Sequence, residues 1–466
     1  MDKVKNSRIK LEFVVLSVIL IYRILAFLCF DLRYTLDSYE YLSRDGFAIF
    51  HGSPDRYRLP VYPLLMDLFL KISEDNGLIF LGIFQFLVSL LSVFILYLTL
   101  RKIVDNKIIC LAFTFFYSVY DAVVIWDDIL LTESLSLSLT VFLLYGLVSF
   151  VKERKMRCVI FISLILVIGS FLRAVFAIYA GLFTGALILI MIFGRSDDKD
   201  DSRVGIKTYV SYVLISLMPI VLILMYAGAF YKSYNAFTLS DSYLGQQLSV
   251  VLGNGYYLSS TDDELVSVSD SILNDTYDSE DKRNDITKKI ESIFFELYEL
   301  DTNINSITEA RYYIMESYER DRIERFVNDS IENNRISHYS FVVMNLFDDY
   351  SFGEYYILKN DSYITMYFYL PVHILISSFP LLEMNLLFAF WVSLAEISIF
   401  LLTLLIKKKK LWIRLGLGVY IASTVWLAIT GTNDEFARTA LTALPFVFVA
   451  FALYIASLFA LIRKKV

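Results

Sequence analysis

Seven side chains have the chemistry to do work, and each lies at the edge of a long apolar block or within its first turn. They are the carboxylates Asp37, Asp127, Asp128 and Glu133 and the arginines Arg58, Arg173 and Arg438. A positioned carboxylate can take a proton from a hydroxyl. A guanidinium suits the planar, multi-oxygen geometry of a phosphate better than an ammonium does. Ionisable groups inside apolar segments are costly and by default functional, which bears most on Glu133. The set has the parts for proton removal and anion binding, provided that the apolar blocks deliver all seven to one side. Other chemistries find little support. His51, His338 and His373 are scattered, and there is no HExxH, paired-Cys or nucleophile-elbow pattern. The absence of a Gly-rich phosphate loop argues against direct use of ATP.

The chain has 466 residues, 57% hydrophobic and 16% aromatic with 20% charged, and a mean hydropathy of +0.58. The apolar share exceeds the roughly 45–50% of soluble domains, which excludes an ordinary soluble enzyme. Cys29, Cys110 and Cys158 sit in or beside apolar blocks and read as small buried residues. A span needs about 20 apolar residues. Ten blocks qualify or nearly do: 11–30, 78–100, 108–125, 129–150, 158–172, 174–193, 208–230, 384–406, 411–430 and 439–461. An amphipathic stretch, Tyr367–Phe379, adds an interfacial helix or an eleventh, partial span. The expected fold is an all-α membrane bundle.

Six short basic segments fall on alternate sides of this ten-span order and carry 22 of the 42 Lys and Arg residues: Met1–Lys10, Arg101–Lys107, Lys152–Arg157, Arg195–Lys207, Lys407–Lys410 and Arg463–Lys465. The positive-inside bias makes that side cytoplasmic, with both termini on it. The first span lacks a cleavage site and reads as retained. The outer side then receives residues 31–77, the Trp126–Asp128 turn, the Arg173 turn, residues 231–383 and Gly431–Arg438. All seven chemical candidates meet there.

In the first outer loop, Tyr41, Phe47 and Phe50 have the spacing of an interfacial helix over 37–50 with Asp37 at its N-terminal end. Pro60 and Pro63 bracket a turn into a second helix, Tyr62–Ile72. Asp37-Ser-Tyr39, followed by Arg58-Leu-Pro60-Val-Tyr62-Pro63-Leu64, resembles the GT-C superfamily of integral-membrane glycosyltransferases. The nearest likeness is to the branch containing protein O-mannosyltransferases and lipid A aminoarabinose transferases. Asp127-Asp128-Ile-Leu-Leu-Thr-Glu133-Ser134 resembles the family's acidic turn, and Arg173-Ala-Val its arginine after the fifth block. Glu435-Phe-Ala-Arg438 through Pro445 is similar to the ending before the last span, but with one proline only. The resemblance covers roughly residues 10–195 and 384–460.

What it implies is transfer of a sugar from a polyprenyl-phosphate donor to a glycan, lipid or protein acceptor at the outer face of a bacterial plasma membrane. Asp37 would be the general base, with Asp128 and Glu133 as further catalytic candidates. Arg58, Arg173 and Arg438 would hold the donor phosphate, and Tyr39, Tyr62 and Asp127 would complete the acceptor or sugar side. Asp127, Asp128 and Glu133 would orient the acceptor or the arginines, or bind a divalent cation, Mg or Mn, the one cofactor left open. Each candidate also has a plain structural reading: Asp37 as an N-cap, Arg58 as a lipid-phosphate anchor, Asp127 or Asp128 as a solvated helix start, and Arg173 as a hairpin end. Arg23, inside the first span, is without an assigned role and suits an acid across the bundle. Glu383 and Glu396 have no evident partner.

Residues 231–365 divide an N-terminal module, 1–230, from a C-terminal one, 366–466. They hold 25 acidic and 11 basic side chains, against 24 and 31 in the rest of the chain. About 135 residues is too long for a connector and implies a small helical domain outside the membrane, the seat of acceptor choice. Ser240–Ser260 reads as loop or short strand, whereas Asp278–Leu300 and Asn305–Asn334 have helical spacing. Tyr and Phe from His338 to Tyr369 suit the interface or sugar rings. The acidic charge disfavours nucleic acid. Two rivals remain: an O-antigen or capsule polymerase or ligase, which would use arginines of the long loop (Arg311, Arg320, Arg322, Arg325, Arg335), and a lipid-linked-sugar flippase, which would show internal repeats.

Overall fold

The computed structural model describes residues 2–29, 32–193, 206–293, 304–347, 385–402, 409–431 and 436–465. Among the described residues the fold is all-helical, with 84% helix and no strand. Tyr367–Phe379, Glu383 and Glu435 lie outside the described residues, as do most of the Arg195–Lys207 and Lys407–Lys410 segments.

The N-terminal half begins with α1 (Asp2–Cys29), the short α2 (Leu36–Leu42), α3 (Val61–Ile72), α4 (Gly77–Ile103), α5 (Lys107–Val119) and α6 (Asp121–Val124). It continues with α7 (Thr132–Glu153), α8 (Met156–Ser170), α9 (Val175–Phe193) and α10 (Ile206–Tyr234). Six helices among the described residues are long and apolar enough to cross a membrane: parts of α1, α4, α7 and α10, then Trp412–Thr430 and Ala440–Ile462. The chain is therefore a multi-pass membrane protein. A bent pair, α5 with Asp121–Asp127, turns by 64°. Tyr120 makes that break by taking an extended backbone between the two helices. Met156–Ser170, Val175–Leu189 and Leu386–Leu402 are apolar but shorter.

The spans pack around a large apolar core to which α4, α7, α8 and the C-terminal helices contribute. In α7 a polar series, Ser134, Ser136, Ser138 and Thr140, is wholly buried. The hydroxyls of Ser136, Ser138 and Thr140 each donate to the carbonyl four residues back, at 2.6–2.9 Å. Self-satisfaction of this kind removes the cost of burying a hydroxyl away from water. Large apolar side chains such as Phe13, Leu87, Leu91 and Met225 are exposed and face where lipid would lie. Arg23 does find its acid across the bundle, Asp127, and Glu396 pairs with Arg414 at 3.0 Å.

The insert is a second helical body with its own core. It comprises α11 (Ser242–Gly253), α12 (Asp263–Asn274), α13 (Glu280–Ile293), α14 (Ser306–Ser317), α15 (Arg320–Asn333) and α16 (Arg335–Met344). Ser240–Ser260, read as loop or short strand, is instead mostly α11 and a 3-10 turn, Tyr256–Ser259. Leu244, Leu248, Val251 and Leu252 share one helical face and are buried together, so packing overrode the polar composition. Asn305–Asn334 is not one helix: Tyr318 and Glu319 are extended and separate α14 from α15. Tyr318 turns its hydroxyl to Glu264 and its ring to Arg322, which also binds Asp262 and Glu264.

After the insert come α17 (Leu386–Leu402), α18 (Lys409–Gly431), the short α19 (Phe436–Thr439) and α20 (Leu444–Lys465). Arg438 sits on α19, where the chain re-enters the bundle.

Candidate functional site

The first loop is tied to the acidic turn by backbone. Arg33 N–H donates to the Asp128 carbonyl at 2.7 Å, and Leu130 N–H donates to the Arg33 carbonyl at 3.1 Å. Two residues on, Thr35 caps α2: its hydroxyl accepts from Ser38 N–H, while the Ser38 hydroxyl accepts from Thr35 N–H. Ser38 also donates to the Leu130 carbonyl at 2.8 Å. Thr35, not Asp37, is thus the N-cap, and the Asp37 carboxylate is left for other work. α2 stops at Leu42, short of the helix expected to run to residue 50; a separate 3-10 turn, Ala48–His51, follows. Between them Gly46 lies so close to the Leu64 backbone that a β-carbon there would overlap it, and its N–H donates to Asp67. This close approach docks α3 against the loop.

Five of the predicted residues converge. Asp37 Oδ1 accepts from Arg58 Nη2, and Oδ2 accepts from Arg438 Nη2, both at 2.5 Å. Arg438 Nε donates to Glu133 Oε1 at 2.6 Å, and Arg173 Nη1 lies 3.4 Å from the same oxygen. Arg58 is shared with Glu40, and its guanidinium lies 4.6 Å over the Tyr41 ring. Arg44 lies 3.7 Å from Glu40 and 3.5 Å from Asp55, so four carboxylates (Asp37, Glu40, Asp55, Glu133) face four arginines (Arg44, Arg58, Arg173, Arg438). Burial alone would raise Asp37, but Arg58 and Arg438 outweigh it and hold this carboxyl far below the usual range. The Asp37 side chain is 25% exposed and the three arginines 13–18%, so a ligand can reach them; Glu133, at 1%, acts only through its arginines.

The other predicted residues go elsewhere. Asp127 faces Arg23 and Ser134 in the bundle interior. Asp128 faces Arg33, with Nε to Oδ2 at 3.0 Å. Burial, opposed by Arg33, pushes Asp128 up to about 6. Because Asp127, Asp128 and Glu133 each face different arginines, they form separate ion pairs instead of a shared set of cation ligands. Among the described residues no group of three or more His, Cys, Asp or Glu side chains stands together as a cation would need. Tyr62 is wholly buried, so it cannot stack on a sugar; its hydroxyl donates to Gln85, whose amide donates to the Ile129 carbonyl. That chain of bonds braces α3 against α4 and the acidic turn. Tyr39 stacks on Tyr34 with ring centroids 5.7 Å apart, outside the cluster.

Glu40 and Tyr312 were missed by sequence reading. Glu40 follows Asp37 by three residues and shares its helix face, a spacing that could have revealed it. Tyr312 had no local signal: it comes from α14 of the insert, and its hydroxyl donates to Glu40 at 3.1 Å. The insert also binds the loop through Arg56 to Asp241 (2.9 Å) and the Met315 carbonyl (2.9 Å), and through Tyr57 to Glu316 (2.7 Å). A cavity of about 300 Å³ lies inside the insert, lined by Gln247, Arg320, Glu324 and His338 among others, and does not include the cluster. Comparison of the chain with protein-family models, curated proteins and solved structures finds no match.

Proposed function

We propose that the protein is a GT-C-type glycosyltransferase that moves a sugar from a polyprenyl-phosphate donor to an acceptor at the outer face of a bacterial plasma membrane. The observation that carries this reading is Arg438, which ties Asp37 to Glu133 across 401 and 305 residues of chain. Residues brought together from so far apart, at the ends of helices and with Asp37 and Arg438 partly exposed, fit a site better than a lipid anchor or a hairpin marker. The bent pair and the three shorter apolar helices, beside the six long ones, leave room for the ten-span topology that this reading uses.

In this reading the donor's anomeric carbon gains positive charge as its bond to the phosphate oxygen breaks, and the electron pair leaves on the phosphate. Arg58, Arg173 and Arg438 hold that phosphate and stabilise its growing charge. Asp37 takes the proton of the acceptor hydroxyl, whose oxygen forms the new bond to the anomeric carbon. Glu133 keeps Arg438 and Arg173 in place. The insert, joined to the loop at Asp241, Met315 and Tyr312, lies where an acceptor would be chosen. Its Arg320 and Arg322 are engaged by Asp241, Asp262 and Glu264, which leaves a loop-arginine polymerase or ligase mechanism with less to work with. The reading is tested by incubating purified protein in lipid with radiolabelled polyprenyl-phosphate sugars and envelope extract. A covalently labelled acceptor is the expected result; donor moved across vesicles without product would mean transport instead.

A further inference from the structure

In the structure Asp37 cannot act as a base. Each of its oxygens holds a guanidinium at 2.5 Å, and a carboxylate so engaged gains little by accepting a proton. The ion-paired charges of the cluster already balance, four against four. A phosphate entering among these arginines adds negative charge to a half-buried site whose own arginines are already paired with carboxylates. Three adjustments restore the balance: loss of the phosphate, entry of a cation, or uptake of a proton by a carboxylate. Asp37 is the carboxylate best placed for the third, because the two arginines that hold it are the ones a phosphate would engage. Arg58 has a second acid, Glu40, to steady it while it turns.

We infer that the resting site is shut by its own arginines and that a lipid phosphate opens it, taking Arg58 and Arg438 from Asp37 and so freeing that carboxylate to accept a proton. This rests on the transferase reading and adds an order to it: the donor binds first, and the acceptor hydroxyl then supplies the proton. Charge and proton balance follow. The acceptor's proton passes to Asp37 as the acceptor oxygen bonds to the anomeric carbon, while the bond from that carbon to the phosphate oxygen breaks and the lipid phosphate leaves with a second negative charge. The groups facing Asp37 are Arg58 from the turn before α3, Arg438 from α19, Glu133 and Arg173 behind Arg438, Glu40 and Tyr41 from its own helix with Arg44 beyond Glu40, and Tyr312 from the insert with Arg311 over its ring. None but Asp37 bonds both arginines by its two oxygens.

The test uses full-length protein in lipid nanodiscs and farnesyl methyl phosphate, a phosphodiester with no sugar whose single charge does not change over the working pH. Calorimetry in buffers of different ionisation enthalpy, at about pH 5, one unit above the ordinary carboxylate range, counts the protons taken up on binding. Wild type takes up a proton fraction that shrinks toward neutral pH. Asp37→Asn takes up none and, at neutral pH, binds about tenfold or more tightly, because the competing carboxylate charge is gone. Binding without proton uptake by wild type, equal affinity of the two proteins, or uptake that persists in Asp37→Asn overturns the inference while leaving the transferase reading standing. No binding by either protein overturns the transferase reading itself. Should Asp37→Asn fail to fold, the proton count of the wild type decides alone.

Discussion

Two sets of arginine–carboxylate pairs have the same chemistry and differ in what surrounds them. Arg23 and Asp127 meet inside the bundle, with side chains 0% and 4% exposed; Arg23 also donates to the Ser89 hydroxyl, and Asp127 accepts from the Ser134 hydroxyl. Asp37, by contrast, meets Arg58 and Arg438 at a surface that is partly open. The first pair joins α1 to the acidic turn and has no route to a ligand. The second joins three segments and can exchange partners with whatever enters. The chemistry of the residues is the same in both; accessibility and the number of competing partners separate a strut from a site.

This contrast can be broken in a definite order. The largest effect on turnover is expected from Asp37→Asn, a loss of about 10²- to 10⁴-fold, the usual worth of a positioned base, with unchanged yield of folded protein on size exclusion. The largest effect on stability is expected from Arg23→Ala, which strands a buried carboxylate and costs about 3–5 kcal/mol. Thermal unfolding in detergent measures it, and a double replacement, Arg23→Met with Asp127→Leu, should recover most of the loss. If Arg23→Ala is neutral, the pair is not a strut.

Next in size, Arg438→Ala should raise the KM for the lipid donor by about ten- to a hundredfold, because it removes a phosphate ligand and uncouples Glu133 from Asp37. A variant that lowered kcat alone would assign Arg438 to the chemistry and not to donor binding. The smallest effect belongs to Asp128. Its folded value, about 6, lies above the unfolded 3.8, so the folded chain binds the extra proton and its stability falls as pH rises between those values. Asp128→Asn should flatten that slope, read as the pH dependence of the unfolding temperature; an unchanged slope would show that another group carries it.

The sequence was informative where one segment decides the outcome. The α3 helix appears almost where Pro60 and Pro63 announced it, and the Ser-rich α7 reads as a span because its hydroxyls bond within their own helix. Long-range partners were not legible. Asp127 and Asp128 look equivalent on paper, yet Arg23 takes one and Arg33 the other, a choice made by helix packing. Tyr62 resembles a ligand contact until its burial is seen. The same holds for α2, which ends early because Gly46 must meet α3, and for α11, whose Gly- and Gln-containing sequence hid an apolar face. Asp37, Arg58, Glu133, Arg173 and Arg438 were found because a single topological argument put them on one side of the membrane, whereas Glu40 and Tyr312 required the folded insert.

The most direct test of the central claim is transfer of labelled sugar from a polyprenyl phosphate by purified protein in lipid, with Asp37→Asn and Asp127→Asn run beside the wild type. The account predicts labelled product from wild type, none from Asp37→Asn, and product from whatever fraction of Asp127→Asn remains folded. Equal turnover by wild type and Asp37→Asn, or loss confined to a fully folded Asp127→Asn, would contradict it.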